Sequence, residues 1–415
     1  VIFILGVAYI DGNNFVNANT INQSKKNLLD YKNVNSSDTV YYHKLFSYYL
    51  RALHAETNKD FLSAAKFYTE SLAIDSANLE LIEASFSNLY ATGQITTAAE
   101  IAQHAESLNL NLIMGVEPAL AIAAKDADWE AVLALSETAM LEGSSQYIGY
   151  LLRAWALYNL EQKSAAISIF ENLYKLLEQQ GFSDPNFIHL FIAQLFILEE
   201  EYSQAITHLS KITLNRNSNP ELIIATSEAH AFLGNVTTAK ALSQNLSQNY
   251  NQDALEAWFE QKSTVKISQK HMGYFLAQSI IHLNLFTLTE ETIDYLKHRS
   301  QFGLFLAESY GYSLPSASLT LLQLSNKESG LEDTKYHFQS IPKKDPRFQI
   351  SLMLYLSKLR QDDEITSAIE ILQSYLDENK NLLILEEMLA DFFRIEDQCG
   401  NAIKGYEKVS KIKSN

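Results

Sequence analysis

The 415-residue chain is 47% apolar yet holds only 6 Pro and 14 Gly, a composition that argues against a many-stranded fold and for helices joined by short connections. With 49 acidic and 32 basic residues it carries a formal charge of -17, which repels a phosphate backbone. The only basic clusters, Lys25-Lys26 and Lys343-Lys344, are too small to make a groove, so no nucleic-acid partner is expected. A single cysteine, Cys399, excludes an internal disulfide and a cysteine-only metal site.

The chain opens on VIFILGVAYI, ten apolar residues in a row. A transmembrane helix needs about 20 such residues, so no membrane span is expected here or elsewhere. The run has the length of a signal-peptide core, and Val16-Asn17-Ala18 offers small side chains for cleavage, so residues 1–18 are expected to be a signal-peptide remnant despite the missing initiator Met and basic flank. A polar segment follows over 19–38. On this basis the protein is expected in the periplasm or envelope of a bacterium, with the cytoplasm as the alternative.

From residue 39 a short pattern recurs: an aromatic or apolar residue, a small residue three later, a bulky residue four beyond, and a small or apolar residue three further on. The first copy is Phe61, Ala64, Tyr68 and Ser71; the next three begin at Ile95, Trp129 and Lys163, each 34 residues on. After an insertion near 178–184 the series resumes at Tyr202 and Val236, and it returns at Ile365 and Cys399. Residues three and four apart share a helix face, so Ala64 and Tyr68 look back at Ala52 and Ala55 on the preceding helix. Small side chains let the two axes approach, and stacking one pair on the next buries a face that one pair alone leaves open. The turns agree: Asn58-Lys59-Asp60, Thr92-Gly93, Lys125 to Asp128 and Leu233-Gly234-Asn235 each precede a second helix, while Asp184-Pro185 and Asn219-Pro220 mark new first helices.

Tyr48, Ala52, Ala55, Phe61, Ala64, Tyr68 and Leu72, with Tyr150, Ala154, Leu157, Ala166 and Phe170 a few units on, resemble tetratricopeptide repeats, whose unit length is 34 residues. The layout also resembles exported repeat proteins of alphaproteobacteria. Ser76 replaces a frequent Pro, and no unit has the full Trp, Leu-Gly and Tyr set of the first helix. The resemblance implies an all-α, right-handed superhelical solenoid of antiparallel helix pairs. It has about six repeats over 39–250, degenerate helical repeats or a separate lobe over 251–348, and further repeats with a cap over 349–415. Within 251–348, helical faces are expected at 271–285, 290–298, 302–310 and 316–324, with 326–348 as a connection.

No His-Glu-x-x-His, Cys-x-x-Cys, phosphate loop or nucleophile elbow is present, and no two of the ten histidines are three or four residues apart. No enzymatic activity, cofactor or metal is expected. In the implied fold the first (A) helices line the concave side, so Tyr49, Tyr90, Leu151, Trp155, Tyr158, Gln194 and Glu228 become candidate groove contacts for a protein or peptide partner. Trp155 is either an anchor for that partner or packing between neighbouring A helices. The expected function is an interaction scaffold or adaptor, with a role in bacterial envelope assembly. The alternatives are a catalytic helical lobe in 251–348 and a self-associating component whose apolar end stacks on another copy.

Overall fold

The computed structural model describes residues 36–182, 185–247, 250–287, 295–328, 330–379 and 382–414. The signal-peptide expectation for 1–18 and the polar segment up to residue 35 lie outside them. All regular elements among the described residues are helices, arranged as adjacent pairs. In order these are α1 (Ser36–Thr57) with α2 (Phe61–Leu72), α3 (Leu79–Ala91) with α4 (Ile95–Ser107), and α5 (Glu117–Lys125) with α6 (Trp129–Leu141). Then come α7 (Gln146–Asn159) with α8 (Lys163–Gln179), α9 (Ile188–Leu198) with α10 (Tyr202–Leu209), and α11 (Pro220–Phe232) with α12 (Val236–Ser243). After α13 (Gln252–Ser263), which packs on both α11 and α12, follow α14 (Met272–Thr287) with α15 (Tyr295–Ser309) and α16 (Pro315–Glu328) with α17 (Leu331–Gln339). The chain ends with α18 (Phe348–Gln361) paired to α19 (Ile365–Glu378), and α20 (Leu383–Ile395) paired to α21 (Cys399–Ser414).

Every second helix of a recognised unit begins at the residue that opens the sequence pattern: Phe61, Ile95, Trp129, Lys163, Tyr202, Val236, Ile365 and Cys399. Two residues before each lies a backbone with positive φ: Lys59, Gly93, Ala127, Glu161, Glu200, Gly234, Asp363 and Asp397. The next amide then reaches a carbonyl five residues back, as in Asp60 to Ala55, Gln94 to Leu89 and Gln398 to Phe393, closing the A helix in a Schellman motif. Only two of these eight positions are glycine, so in the other six the packing of the pair holds an ordinary side chain in the left-handed region. The residue three places into seven of these eight helices, Ala64, Ala98, Val132, Ala166, Ala205, Ala239 and Ala368, has no exposed surface, and Ala402 of the eighth is 4% exposed, as close approach of paired helices requires. Pro220 occupies the first turn of α11 and the Asn219 side chain accepts the Glu221 amide at 2.9 Å. Pro185 instead precedes α9 by three residues, the intervening backbone forming a turn.

The segment 251–348, expected as degenerate repeats or a separate lobe, packs back on the repeats that precede it. Helices α14 and α15 leave the stack and lie along its inner side, α14 against α7 and α9, α15 against α3 and α5. Every residue of α14 except Leu285 and Phe286 is buried, and Phe275, Leu276, Ile280 and Phe302 join the same hydrophobic core as the repeats up to α10. The stretch expected as a bare connection over 326–348 contains α17, which packs on α16 and α18. Separate clusters fill α11 to α13 and the C-terminal pairs.

Candidate functional site

The α14–α15 hairpin packs on the A helices α3, α5, α7 and α9, the helices expected to line the groove, so what meets their residues there is the chain's own hairpin. The candidate contacts sit where the repeat register puts them, but most are covered. Tyr90, Leu151 and Trp155 have no exposed surface, Gln194 is 1% exposed, Glu228 2% and Tyr158 5%.

At the α3–α5 end the centre is Glu117, a carboxylate on the first turn of α5 with no exposed surface. Arg299 of α15 donates to it from Nε at 3.2 Å and Nη2 at 3.0 Å, and spends Nη1 on Asn284 of α14 at 2.9 Å. A further donor of Arg299 reaches the Ser144 carbonyl. Tyr90 and Ser145 donate to the same carboxylate at 2.8 and 3.0 Å. This fork geometry satisfies the guanidinium and both carboxylate oxygens, the condition under which a buried pair holds. Burial, then the negative Glu117, push the Tyr90 hydroxyl far above its ordinary range, keeping it a neutral donor. The Tyr90 ring also meets His298 of α15 edge-on, centroids 5.0 Å apart.

Along α7 and α9, Tyr158 donates to Glu199 at 2.7 Å and accepts from Gln269, just before α14, at 2.8 Å. Gln194 donates to Gln278 of α14 at 2.9 Å and accepts from Ser279 at 3.1 Å. Trp155 packs edge-on against Tyr158 and Phe170, its indole N–H without a partner. Its full enclosure leaves no room for the anchor role, and its ring partners lie on α7 itself and on α8, the second helix of the same pair, rather than on a neighbouring A helix.

At α11 the carboxylate of Glu228 takes Lys262 of α13 at 2.7 Å, Tyr274 at 2.9 Å and Gln278 at 3.2 Å. The Lys262 ammonium sits over the rings of Trp258 (4.2 Å), Phe232 and Tyr274 (both 5.3 Å), an aromatic cage filled from within the chain. Burial pushes Glu228 up, but Lys262, Arg347 and the Tyr274 hydrogen bond outweigh it, leaving its pKa below the ordinary carboxylate range. Glu221, two turns earlier on the same face of α11, is gripped by Arg347 from Nε and Nη2 at 2.9 Å, while Nη1 of Arg347 meets Asp345 at 3.2 Å. Thus three A-helix carboxylates, Glu117, Glu221 and Glu228, tie the divergent segment to the stack.

Tyr49 differs from the others. It lies on α1, half-buried, with its hydroxyl on Glu80 and its ring edge-on to Tyr68 at 6.2 Å. Around it α1 exposes Val40, Tyr41, Tyr42, Phe46 and Leu50, at 43 to 68% each. Sequence spacing brought no two histidines together, yet the α9–α10 pairing sets His189 and His208 with Nδ1 atoms 3.2 Å apart. Burial, then Lys211, lower both pKa values, His189 to about 4. Among the described residues no group of three or more His, Cys, Asp or Glu is placed to hold a metal ion, and no helix is long and apolar enough to cross a membrane.

Fold and site together define a tetratricopeptide-like solenoid of stacked helix pairs whose inner groove is filled by a hairpin of the same chain. No known family description matches the chain, and no curated protein does. Among solved structures it is similar to the human IFIT1 dimer with m7Gppp-AAAA, at 14% identity, covering 89% of this chain and 90% of that one with a TM-score of 0.29. It is also similar to Naa15/Naa10 bound to HypK-THB, at 12% identity over 94% of this chain and 67% of that one, TM-score 0.29. At scores this low the fold rests on the helix pairing described above, and neither resemblance bears on function.

Proposed function

We propose that this chain is an interaction scaffold that holds a protein or peptide partner on surfaces outside its filled groove. The carrying observation is the α14–α15 hairpin: it covers the A helices on which it packs, while a run of apolar side chains on α1 stays exposed. Rigid presentation lowers the ordering that binding requires, and contiguous exposed aromatic residues are what interfaces use. Segment 251–348, considered above as a catalytic lobe, commits its buried charged groups to gripping the A helices. Export to a bacterial envelope, expected from residues 1–18, is carried forward within this proposal, and N-terminal sequencing of the mature protein tests it.

Cross-linking of the tagged protein at native abundance, followed by mass spectrometry, tests the scaffold reading. One polypeptide cross-linked reproducibly at a few fixed surface lysines is the expected result; no recurring cross-linked polypeptide under several cross-linker chemistries contradicts it. Ala at Trp155 and Tyr158 is not a usable binding control, because both side chains belong to the core.

A further inference from the structure

Helix α5 has nine residues, where the A helices before and after it, α3 and α7, have 13 and 14. The connection 108–116 stands where those helices have their first turn, and beside it a cavity of about 680 Å³ opens between α4, α5 and α6. The cavity floor is apolar and half-buried, made by Ala99 and Ala102 of α4, Val116 of the connection, Ile122 of α5 and Leu135 of α6. Its volume is that of a ligand pocket. Along α4 the lining runs from Thr96 to Glu106, a length of about 15 Å at the rise of a helix.

Every charged residue of the lining is acidic: Glu100 and Glu106 on α4, Asp126 just after α5, Asp128 just before α6 and Glu142 just after α6. Asp128 caps α6 by accepting the Ala131 amide at 3.0 Å. Glu100, Glu106 and Asp126 form no side-chain hydrogen bond or ion pair among the described residues, and one carboxylate oxygen of Glu142 is buried without a partner. Burial, then the negative Glu117, raise the Glu142 pKa, as befits a carboxylate short of a cation. The two basic side chains between residues 94 and 144 are engaged elsewhere: Lys125 lies 5.4 Å over the Phe305 ring, and His104 meets the Ser76 carbonyl at 2.6 Å. Arg299 and Arg153, which reach this stretch from other helices, pair with Glu117 and Glu137 outside the lining.

Resting on the scaffold reading, we infer that the cleft between α4 and α6 is the partner site and that it takes a short extended segment in which Lys or Arg alternates with apolar residues. The aliphatic stems of Lys and Arg cover an apolar floor while their heads reach carboxylates at its rim. An extended chain advances about 3.3–3.6 Å per residue, so about four or five residues span the cleft. A neutral or acidic segment brings no counter-charge to the five carboxylates of the lining. The chain's own basic pairs, Lys25-Lys26 and Lys343-Lys344, are the rival occupants, and of these Lys343 already meets Glu378 at 3.5 Å.

The test titrates fluorescein-labelled hexapeptides of alternating Lys-Leu or Arg-Leu, with Ser-Leu and Glu-Leu as controls, against the full chain and reads anisotropy. Binding of the basic peptides alone is expected, and it should weaken with added salt. Affinity should fall at least fivefold when Glu106→Gln and Glu142→Gln are combined, and likewise in Ala99→Trp, which fills the floor without changing charge. It should hold within twofold when Glu370→Gln and Asp377→Asn are combined, the same change of net charge at exposed positions of α19 outside the cleft. Circular dichroism of each variant should match the parent. Equal losses in the cleft and α19 pairs would reduce the binding to net charge and overturn the inference. Basic peptides that bind no better than the controls, or that ignore Ala99→Trp, would overturn it too. Zero-length carbodiimide cross-links from Lys25 or Lys26 to Glu106 or Glu142 would overturn it by assigning the cleft to residues 1–35, and a sedimenting dimer that Ala99→Trp dissolves by assigning it to a second copy. If the polypeptide captured by cross-linking still binds Ala99→Trp normally, the site is wrong while the scaffold reading stands.

Discussion

Arg299 is the side chain on which the filled groove leans most. Replacing it with Ala leaves Glu117, fully enclosed, facing only the Tyr90 and Ser145 hydroxyls, and it frees Asn284 and the Ser144 carbonyl at the same time. Breaking one side of a buried ion pair costs about 3–5 kcal/mol, and here the larger figure is expected because no water-facing route remains for the carboxylate. Removing both charges together, as Glu117→Gln with Arg299→Met, should recover most of that loss, since an apolar or neutral pair pays no charge desolvation. Urea unfolding followed by circular dichroism measures both. A loss under about 1 kcal/mol in Arg299→Ala, or a double variant as weak as the single one, would refute the view that this pair locks α15 to α5.

Three further outcomes follow from the same geometry. His282 has no exposed surface, neither ring nitrogen has a partner, and burial followed by Arg347 lowers its pKa to about 3. The unfolded chain therefore binds a proton at this site that the fold does not, so stability falls as pH drops from about 6.5 toward 3 by up to about 1.4 kcal/mol per unit; His282→Leu should flatten that slope in a pH series of urea melts. Ala127 holds φ at 55° in a turn where a glycine is at ease, so Ala127→Gly should stabilise by about 0.5–1 kcal/mol in a thermal melt, against the usual sign of that change. Gly149 of α7 lies so close to α6 that a Cβ would meet the Met140 amide nitrogen at 2.7 Å, whereas Gly143 has open space. Gly149→Ala should cost about 1–3 kcal/mol by overpacking and Gly143→Ala much less.

The repeat was legible because its determinants are local. Phe61, Ile95 and Trp129 open helices at a fixed interval, and the turn before each needs only the residues next to it. The same locality placed Tyr90, Gln194 and Glu228 on the inner face. What lies on that face was not legible from spacing, since Arg299 meets Glu117 from 182 residues away and Gln278 meets Gln194 from 84. A signal was nonetheless present. Helix α9, IHLFIAQLFIL, is buried at every position but His189, and α14, MGYFLAQSIIHLNLFT, has no Asp, Glu, Lys or Arg, whereas an open groove needs one wetted face on each A helix. Helix α17 is hidden in the sequence because Gly330 and Pro342 suggest a connection, although they only flank the nine helical residues LEDTKYHFQ.

The claim that the groove is filled is tested most directly by amide hydrogen exchange along α14. The account predicts protection over Met272–Thr287 as strong as in α7 and α9, because α14 is enclosed between them and shares their core. Rapid exchange in α14 while α7 and α9 remain protected would mean that the hairpin does not occupy the groove.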